Sequence, residues 1–252
     1  MRHLALARHA TIAALACAAL CAACRRKSST TGDAGPAAST PVIASAGPVI
    51  ERHRAKVKPI ADQRFELMNK LPPRVFSDTL HAPDNGPLVI GGATSNAPLL
   101  YDVGGKIEGL GYRIEDDAGK GLEDCYKLLH DGNIEHTFGK PEVPSAAEAE
   151  RILARCESFK YLLIVRVWST TEPNVNGYQT FSQGKVEGDV ILFNIQTGKS
   201  FGGIHFKAQN TDNIKATTGS ETDAFNRDLH ANTVRAVTDA IHKRVPAATI
   251  AL

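Results

Sequence analysis

The feature that most constrains the fold is an almost continuous apolar run over residues 161–168, which reads Tyr-Leu-Leu-Ile-Val-Arg-Val-Trp. Most of these residues are β-branched or aromatic, types that favour strands. A strand with one solvated face would alternate apolar and polar side chains, and this run does not. The sequence therefore predicts a central strand that other elements cover on both faces.

A hairpin follows this strand in the sequence. Residues 185–195 and 200–208 are strand-like, and residues 196–199, Gln-Thr-Gly-Lys, contain the glycine that a tight turn favours. In the second of these strands the even-numbered side chains from Ile204 onward are expected to face inward, and His205 is expected to face solvent.

Helical spacing of apolar residues predicts four helices, at residues 60–71, 121–130, 145–156 and 221–244. Ser145, with Glu148 three residues later, forms a capping-box sequence, and Ser220 is expected to cap the last helix. A further short strand is expected at residues 88–90. The order of elements predicts an α+β domain, with a mixed or antiparallel sheet, a C-terminal hairpin and helices packed on the sheet.

The N-terminus has the layout of a secretory signal peptide. Arg2 and Arg8 supply positive charge, and residues 10–23 form an apolar run that ends in small residues before Cys24. This run is too short and too weakly hydrophobic for a lasting membrane span. We therefore expect residues 1–23 to be a signal peptide.

This N-terminus resembles the lipobox of bacterial lipoproteins, in which small residues precede a cysteine, here Cys24. The family favours Leu three residues before that cysteine, whereas this chain has Cys21 there and Leu20 one residue further back. The resemblance implies cleavage before Cys24 and acylation of its thiol and amine by fatty acids such as palmitate. Ordinary cleavage near Ala19 or Ala23, which would release a soluble periplasmic protein, and an uncleaved anchor are the alternatives.

Residues 24–48 are expected to be the lipidated cysteine and a flexible tether, because a mixture of Ser, Thr, Ala, Gly and Pro cannot bury enough apolar surface to order itself. The basic residues 25–27 would either contact anionic lipid headgroups or simply solubilise the new N-terminus. In lipoproteins of two-membrane bacteria an acidic residue after the cysteine tends to retain the protein at the inner membrane. Arg25 therefore implies an outer-membrane lipoprotein that faces the periplasm, with one globular domain at residues 49–252.

Two cysteines, Cys125 and Cys156, lie outside the N-terminal region, each on the apolar stripe of a predicted helix. In an oxidising compartment such a pair favours a disulfide. Closing a loop of about 30 residues would contribute roughly 3–4 kcal/mol. Two buried free thiols are the alternative.

Residues 160–243 resemble envelope lipoproteins of the curli-secretion and penicillin-binding-protein-activator type. In these proteins a central strand, a hairpin that turns on a T-G-K-like sequence and a long terminal helix recur, and residues 189–199 carry that hairpin here. The resemblance covers about a third of the chain. The resemblance implies a fold, and no functional residue is assigned from it.

Motifs of common catalytic sites are not found in the sequence: there is no G-x-S-x-G and no H-E-x-x-H, and the glycines at 104–111 fit neither a phosphate loop nor a dinucleotide fingerprint. The local cluster of His130, Asp131, Glu135 and His136 has metal-ligand types, but these residues are expected to end a helix and form a loop. We predict no metal and no cofactor.

An acid/base site that combines His205 with Asp189 or Asp212 is a second possibility, and a solvated surface histidine is the expectation. The chain has 29 Lys and Arg, of which Arg2 and Arg8 lie in the signal segment, and 27 Asp and Glu. The mature chain is therefore neutral, which argues against a nucleic-acid partner.

These observations favour a non-enzymatic binding or scaffold module for an envelope protein or a cell-wall component. An envelope hydrolase with a site assembled only in three dimensions is the alternative. The candidate binding surface is the predicted loop 169–183, where Tyr178 and Phe181 stand among polar residues and Trp168 precedes them. The competing interpretation is that Tyr178 and Phe181 fold back to cover a sheet edge.

Overall fold

The computed structural model describes residues 45–74, 78–84, 86–103, 117–135, 140–175, 181–215 and 220–252. The helices are α1 (Gly47–Asn69), α2 (Asp117–Asp131), α3 (Ala146–Glu157) and α4 (Glu221–Arg244). The strands are β1 (Val89–Ile90), β2 (Leu99–Val103), β3 (Ile134–Glu135), β4 (Pro141–Glu142), β5 (Tyr161–Thr171), β6 (Asn174–Val175), β7 (Phe181–Ser182), β8 (Lys185–Asn194), β9 (Ser200–Gln209) and β10 (Thr249–Ile250). The predicted signal peptide, Cys24 and residues 25–44 of the predicted tether lie outside these residues. Residues 45–48 differ from the prediction of a tether, because Ala46 is buried and α1 begins at Gly47.

A mixed sheet of four strands organises the domain, in the order β2-β5-β8-β9. Strand β2 runs parallel to β5, whereas β5 pairs antiparallel with β8, and β8 with β9. Three further two-stranded pairs join β1 to β10, β3 to β4 and β6 to β7. The fold is α+β with a mixed sheet, as the sequence predicts.

Both faces of β5 are buried, because successive side chains of a strand point to opposite sides. Leu162 and Ile164 belong to an apolar cluster with helices α1, α2 and α3. Leu163 and Val165 belong to a second cluster, which includes Leu229 and other residues of α4. This arrangement explains why the central strand lacks an alternating pattern.

The face that carries α1–α3 becomes polar toward the C-terminal end of β5. Arg166 follows Ile164 on this face and lies opposite Asp189 of β8, which in turn lies opposite His205 of β9. The pairing shifts around Trp168, between Val167 and Ser169. Irregularities of this kind re-aim a side chain, and here the side chain is that of Trp168.

Several element ends differ from the sequence predictions. Helix α1 begins at Gly47 rather than near Ile60, and Pro48 is tolerated there because its missing N–H falls in the first turn. Strand β5 runs on to Thr171, so the predicted loop 169–183 begins as strand and also contributes to the β6–β7 pair. Thr170 continues the ladder opposite Val186, as suits a β-branched residue.

Of the two predicted helix caps, Ser145 of α3 makes its hydrogen bond and Ser220 of α4 does not. The Ser145 hydroxyl accepts a hydrogen bond from the backbone N–H of Glu148 at 3.2 Å, which confirms the predicted cap of α3. Ser220 precedes α4, but its side chain makes no capping hydrogen bond, because its backbone (φ −128°, ψ 20°) is not in the extended conformation usual for a cap.

The outer edge of β9 is covered by the segment before β1. The backbone N–H of Leu80 donates to Gly203 O at 2.9 Å, and that of His81 donates to Phe201 O at 3.0 Å. Gly202 has φ +88°, and an added Cβ would lie 2.2 Å from Thr79 O, so this close approach requires glycine. Pairing of this kind protects an exposed strand edge. Within the described ranges, no helix has the length and apolar character needed to cross a membrane.

Candidate functional site

A stacked pair of rings lies at the polar end of the sheet. The Trp168 and His205 ring centroids are 5.0 Å apart and their planes differ by 5°. Both side chains are half-buried. The guanidinium carbon of exposed Arg74 lies 5.3 Å from the centroid of the Trp168 ring, within the range of a cation–π contact.

Charged groups of both signs border these rings. Glu187 lies 2.9 Å from Lys207 Nζ and accepts a hydrogen bond from the Trp168 side chain. The hydrogen bond from Lys207 and the nearby positive charges hold the pKa of the Glu187 carboxyl below its ordinary value. We call Trp168, His205, Arg74, Glu187 and Lys207 the Trp168 platform.

A buried ion pair lies next to the platform, on the same face of the sheet. Arg166 donates to both carboxylate oxygens of Asp189, from Nε at 3.0 Å and from a terminal nitrogen at 2.6 Å. Asp189 is fully buried. Arg166 also donates to the carbonyl oxygens of Pro72 and Pro73, at 2.6 and 3.2 Å. The pair therefore fixes the segment after α1, which carries Arg74, against the sheet.

The polar end of the sheet does not assemble the acid/base pair that the sequence suggested as a possibility. Both Asp189 oxygens accept from Arg166, and His205 Nδ1 lies 2.8 Å from Gly188 O instead. Asp212 accepts a hydrogen bond from Gln183 at 2.7 Å. The His205 ring is half-buried rather than fully solvated, because it stacks on Trp168.

The predicted binding residues do not come together. Phe181 stacks on Phe225 of α4, with centroids 4.3 Å apart and planes 15° from parallel. Helix α4 packs on the opposite face of the sheet from Trp168. The contact gives Phe181 a packing role, as the competing interpretation of the loop expects. Tyr178 lies outside the described residues.

The two predicted disulfide cysteines are adjacent in the structure. Cys125 and Cys156 are fully buried between α2 and α3, with their sulfur atoms in contact and their Cα atoms 6.5 Å apart. That Cα separation falls within the range of known disulfides. The geometry supports the bridge, which peptide mapping can establish.

The suggested metal cluster is not assembled by the residues that the structure describes. His130 Nε2 lies 2.9 Å from Asp62 Oδ1, and the His130 ring packs on Tyr126 with centroids 4.3 Å apart. His136 lies outside the described residues. Within the described part of the chain, no group of three or more His, Cys, Asp or Glu side chains is arranged so that it could hold a metal ion.

The sequence points to Trp168 and, separately, to His205, but does not indicate that their rings stack or that Arg74 lies beside them. Arg166 is the single charge in the apolar run, and that signal could have indicated a buried ion pair. The identity of its partner depends on strand register, and Arg74 follows two prolines whose carbonyl oxygens accept hydrogen bonds from Arg166. Neither relation is visible as a local pattern.

Comparisons with known proteins leave the family open. No protein-family model matches the chain, and no curated protein matches it. A solved structure of a hypothetical protein from Chlamydia trachomatis is similar over 63% of this chain and 95% of that one, with 10% sequence identity and a TM-score of 0.30. A similarity of this size assigns neither a family nor a function.

Proposed function

We propose that this chain is a lipid-anchored protein of the cell envelope whose globular domain is a non-enzymatic binding module for an envelope protein or a cell-wall component. The observation that carries the binding role is the Trp168 platform. It combines a half-buried Trp, an exposed Arg and charges of both signs on one face of the sheet. Trp and Arg are the residue types enriched among energetic anchors of interfaces.

Rigidity of the platform supports this role. Trp168 and His205 belong to paired strands of the central sheet, and the buried contact of Arg166 with Asp189 holds the Arg74 segment in place. Residues fixed before binding lose less conformational entropy when a partner docks. The platform therefore suits recognition of an extended surface.

The N-terminal sequence supplies the location in this proposal. Acylated Cys24 would hold the chain at the outer membrane, facing the periplasm, as the lipobox resemblance implies. In this proposal residues 25–44 would form a flexible tether, and a coil of about 20 residues spans on the order of 25 Å on average. This length leaves the domain free to meet a partner away from the lipid surface.

Crosslinking in cells tests the binding role. We expect Trp168→Ala to abolish recovery of the crosslinked protein or cell-wall partner that the wild-type chain captures, and Trp168→Phe to retain part of it because an aromatic ring remains. Phe181→Ala is the matched control: it should lower the melting temperature, since it removes the contact with Phe225, yet keep the partner.

Recovery of the same partner by Trp168→Ala at the wild-type level contradicts the proposal. Since loss of the Trp168 ring can also affect folding, Arg74→Ala provides a second variant, because its side chain is exposed. It should weaken capture while leaving the melting temperature within a few degrees of the wild-type value. Undiminished capture by both variants excludes the platform as the binding surface.

A further inference from the structure

A cavity opens between helices α2 and α3 and the loop after β1. Its volume is about 610 Å³, and its polar or loop-borne walls include Gly92, Ala93, Lys120, Asp124, Arg151 and Arg155. Cavities of a few hundred to a thousand cubic ångströms are the usual size of small-molecule sites. None of the residues of the Trp168 platform lines it.

Arg155 is the most informative residue of this cavity. Its guanidinium donates to the carbonyl oxygens of Gly92, at 3.2 Å, and of Ala93. These bonds fix the side chain, and within the described ranges no carboxylate forms an ion pair with it. A fixed guanidinium is suited to bind carboxylate or phosphate groups.

Two further cations lie on the cavity wall. Lys120 Nζ is 2.8 Å from Asp124, an acidic residue that also lines the cavity. Arg151 is mostly exposed and lies 3.8 Å from Glu148. The lining side chains therefore carry three positive charges and one negative charge, a balance that attracts anions.

The rest of the lining is apolar or small. The apolar lining residues are Ala93, Ala154 and Ile152, of which Ile152 is largely buried in the core, and Gly92, Gly121 and Ser158 complete the lining. A ligand that fits both parts carries an anionic group for the arginines and a short apolar portion for this floor.

We propose that the cavity binds a small organic anion, with a carboxylate or phosphate group held by Arg155 and Arg151 and a short apolar portion against Ala93, Ala154 and the accessible part of Ile152. The proposal goes beyond the envelope-binding function and does not depend on the lipid anchor. The cavity walls are α2 and α3, and Cys125 and Cys156 meet between these helices, so the site is built on adjoining rigid elements.

Calorimetric titration of the full chain in a non-ionic detergent tests this site. The probes are benzoate and phenyl phosphate, which distinguish carboxylate from phosphate recognition, and benzylamine as a cationic control of similar size. We expect at least one of the two anions to bind with a Kd below 1 mM and benzylamine to bind at least tenfold more weakly.

Variants locate the binding in the cavity. Arg155→Gln should weaken the anion at least tenfold. Since Arg155 also holds the loop after β1, Arg151→Gln is the second variant, and it should weaken binding three- to tenfold with an unchanged melting temperature. Arg235→Gln, an exposed position on α4, is the control and should bind like the wild-type chain.

Three results would overturn the proposal. The first is a Kd above 10 mM for both anions, and the second is benzylamine binding as tightly as the anions. The third is wild-type affinity in both Arg155→Gln and Arg151→Gln, which would show that any binding occurs elsewhere on the protein. Each result leaves the crosslinking test of the Trp168 platform unaffected, because that platform shares no residue with the cavity.

Discussion

At the scale of single residues, the ion pair of Arg166 and Asp189 is the contact whose loss should lower the stability of the fold most, because Asp189 is fully buried. Removing one partner of a buried pair leaves the other charge uncompensated. We expect Asp189→Asn to lower the free energy of unfolding by about 3–5 kcal/mol, measured by urea denaturation.

A double variant controls for the loss of packing at this pair. Replacing Arg166 with Met and Asp189 with Leu removes both charges and keeps apolar volume, so it should lose less stability than Asp189→Asn alone. A double variant that is less stable than Asp189→Asn would contradict this prediction. It would show that the hydrogen bonds from Arg166 to Pro72 and Pro73 contribute more stability than pairing of the two charges.

The cysteine pair gives a second prediction at this scale. Non-reducing peptide mapping of the protein taken from cells should recover Cys125 and Cys156 in one linked species, because the structure places their sulfur atoms in contact. Alkylation of both thiols in protein that has not been reduced would contradict the bridge.

Contacts of single residues are predictable from the sequence only where they follow from a local pattern. The positions of Cys125 and Cys156 on apolar helical stripes are a local pattern, and the structure brings these residues together. The stacking of Trp168 on His205 joins β5 to β9 across β8, and it depends on strand register and on the irregularity after Val167. Register is a property of paired strands, so the sequence of one strand does not reveal it.

At the scale of elements, α1 is joined to α3 by polar contacts around His53. The two ring nitrogens of His53 lie 2.7 Å from Glu157 and 3.0 Å from Glu150. Burial acts to raise the pKa of the Glu157 carboxyl, but hydrogen bonds from His53 and Lys56 outweigh it and hold that pKa below its ordinary value.

The direction of this pKa change predicts a pH dependence. A carboxyl with a lower pKa in the folded than in the unfolded state adds stability that is present above its unfolded pKa of about 4.3 and is lost as the pH falls through the folded value. We expect Glu157→Gln to lower the free energy of unfolding by about 1–2 kcal/mol at pH 7. The difference from wild type should shrink between about pH 5 and pH 3.

Glu172→Gln is the control for this measurement, because Glu172 is an exposed carboxylate after β5. It should change the unfolding free energy by less than about 0.5 kcal/mol across the same pH range. A Glu157→Gln effect that stays constant from pH 7 to pH 3 would show that packing, and not the charged hydrogen bonds, joins α1 to α3 at this position.

Elements with strong local signals were predictable from the sequence. Helix α4 spans Glu221–Arg244, the predicted range, because acidic residues begin it and basic residues end it. The first part of α1 was missed although its buried face carries Val49, Ile50 and Val57, which belong to the apolar cluster with α2 and α3. Buried His53 interrupts this apolar stripe and Pro59 lies inside the helix, so the sequence pattern there is not that of a regular apolar helix face.

At the scale of the whole molecule, the α+β class and the doubly covered central strand followed from the apolar run at residues 161–168. The order of the strands in the sheet could not be predicted from this run. Strand β2 pairs parallel with β5 from about 60 residues earlier in the chain, an arrangement that requires a long connection and leaves no local trace. The same holds for the parallel pair of β1 and β10.

The proposed anchoring of the domain in the envelope through acylated Cys24 is tested by intact mass spectrometry of the chain from fractionated bacterial cells. We predict a membrane-bound species that begins at Cys24 and carries at least two acyl chains, since one chain gives only marginal binding. Cys24→Ala should lose both the acyl mass and the membrane association, whereas the control Cys21→Ala should keep both. A chain without acyl mass, or a Cys24→Ala variant with wild-type mass gain and membrane association, would contradict the claim.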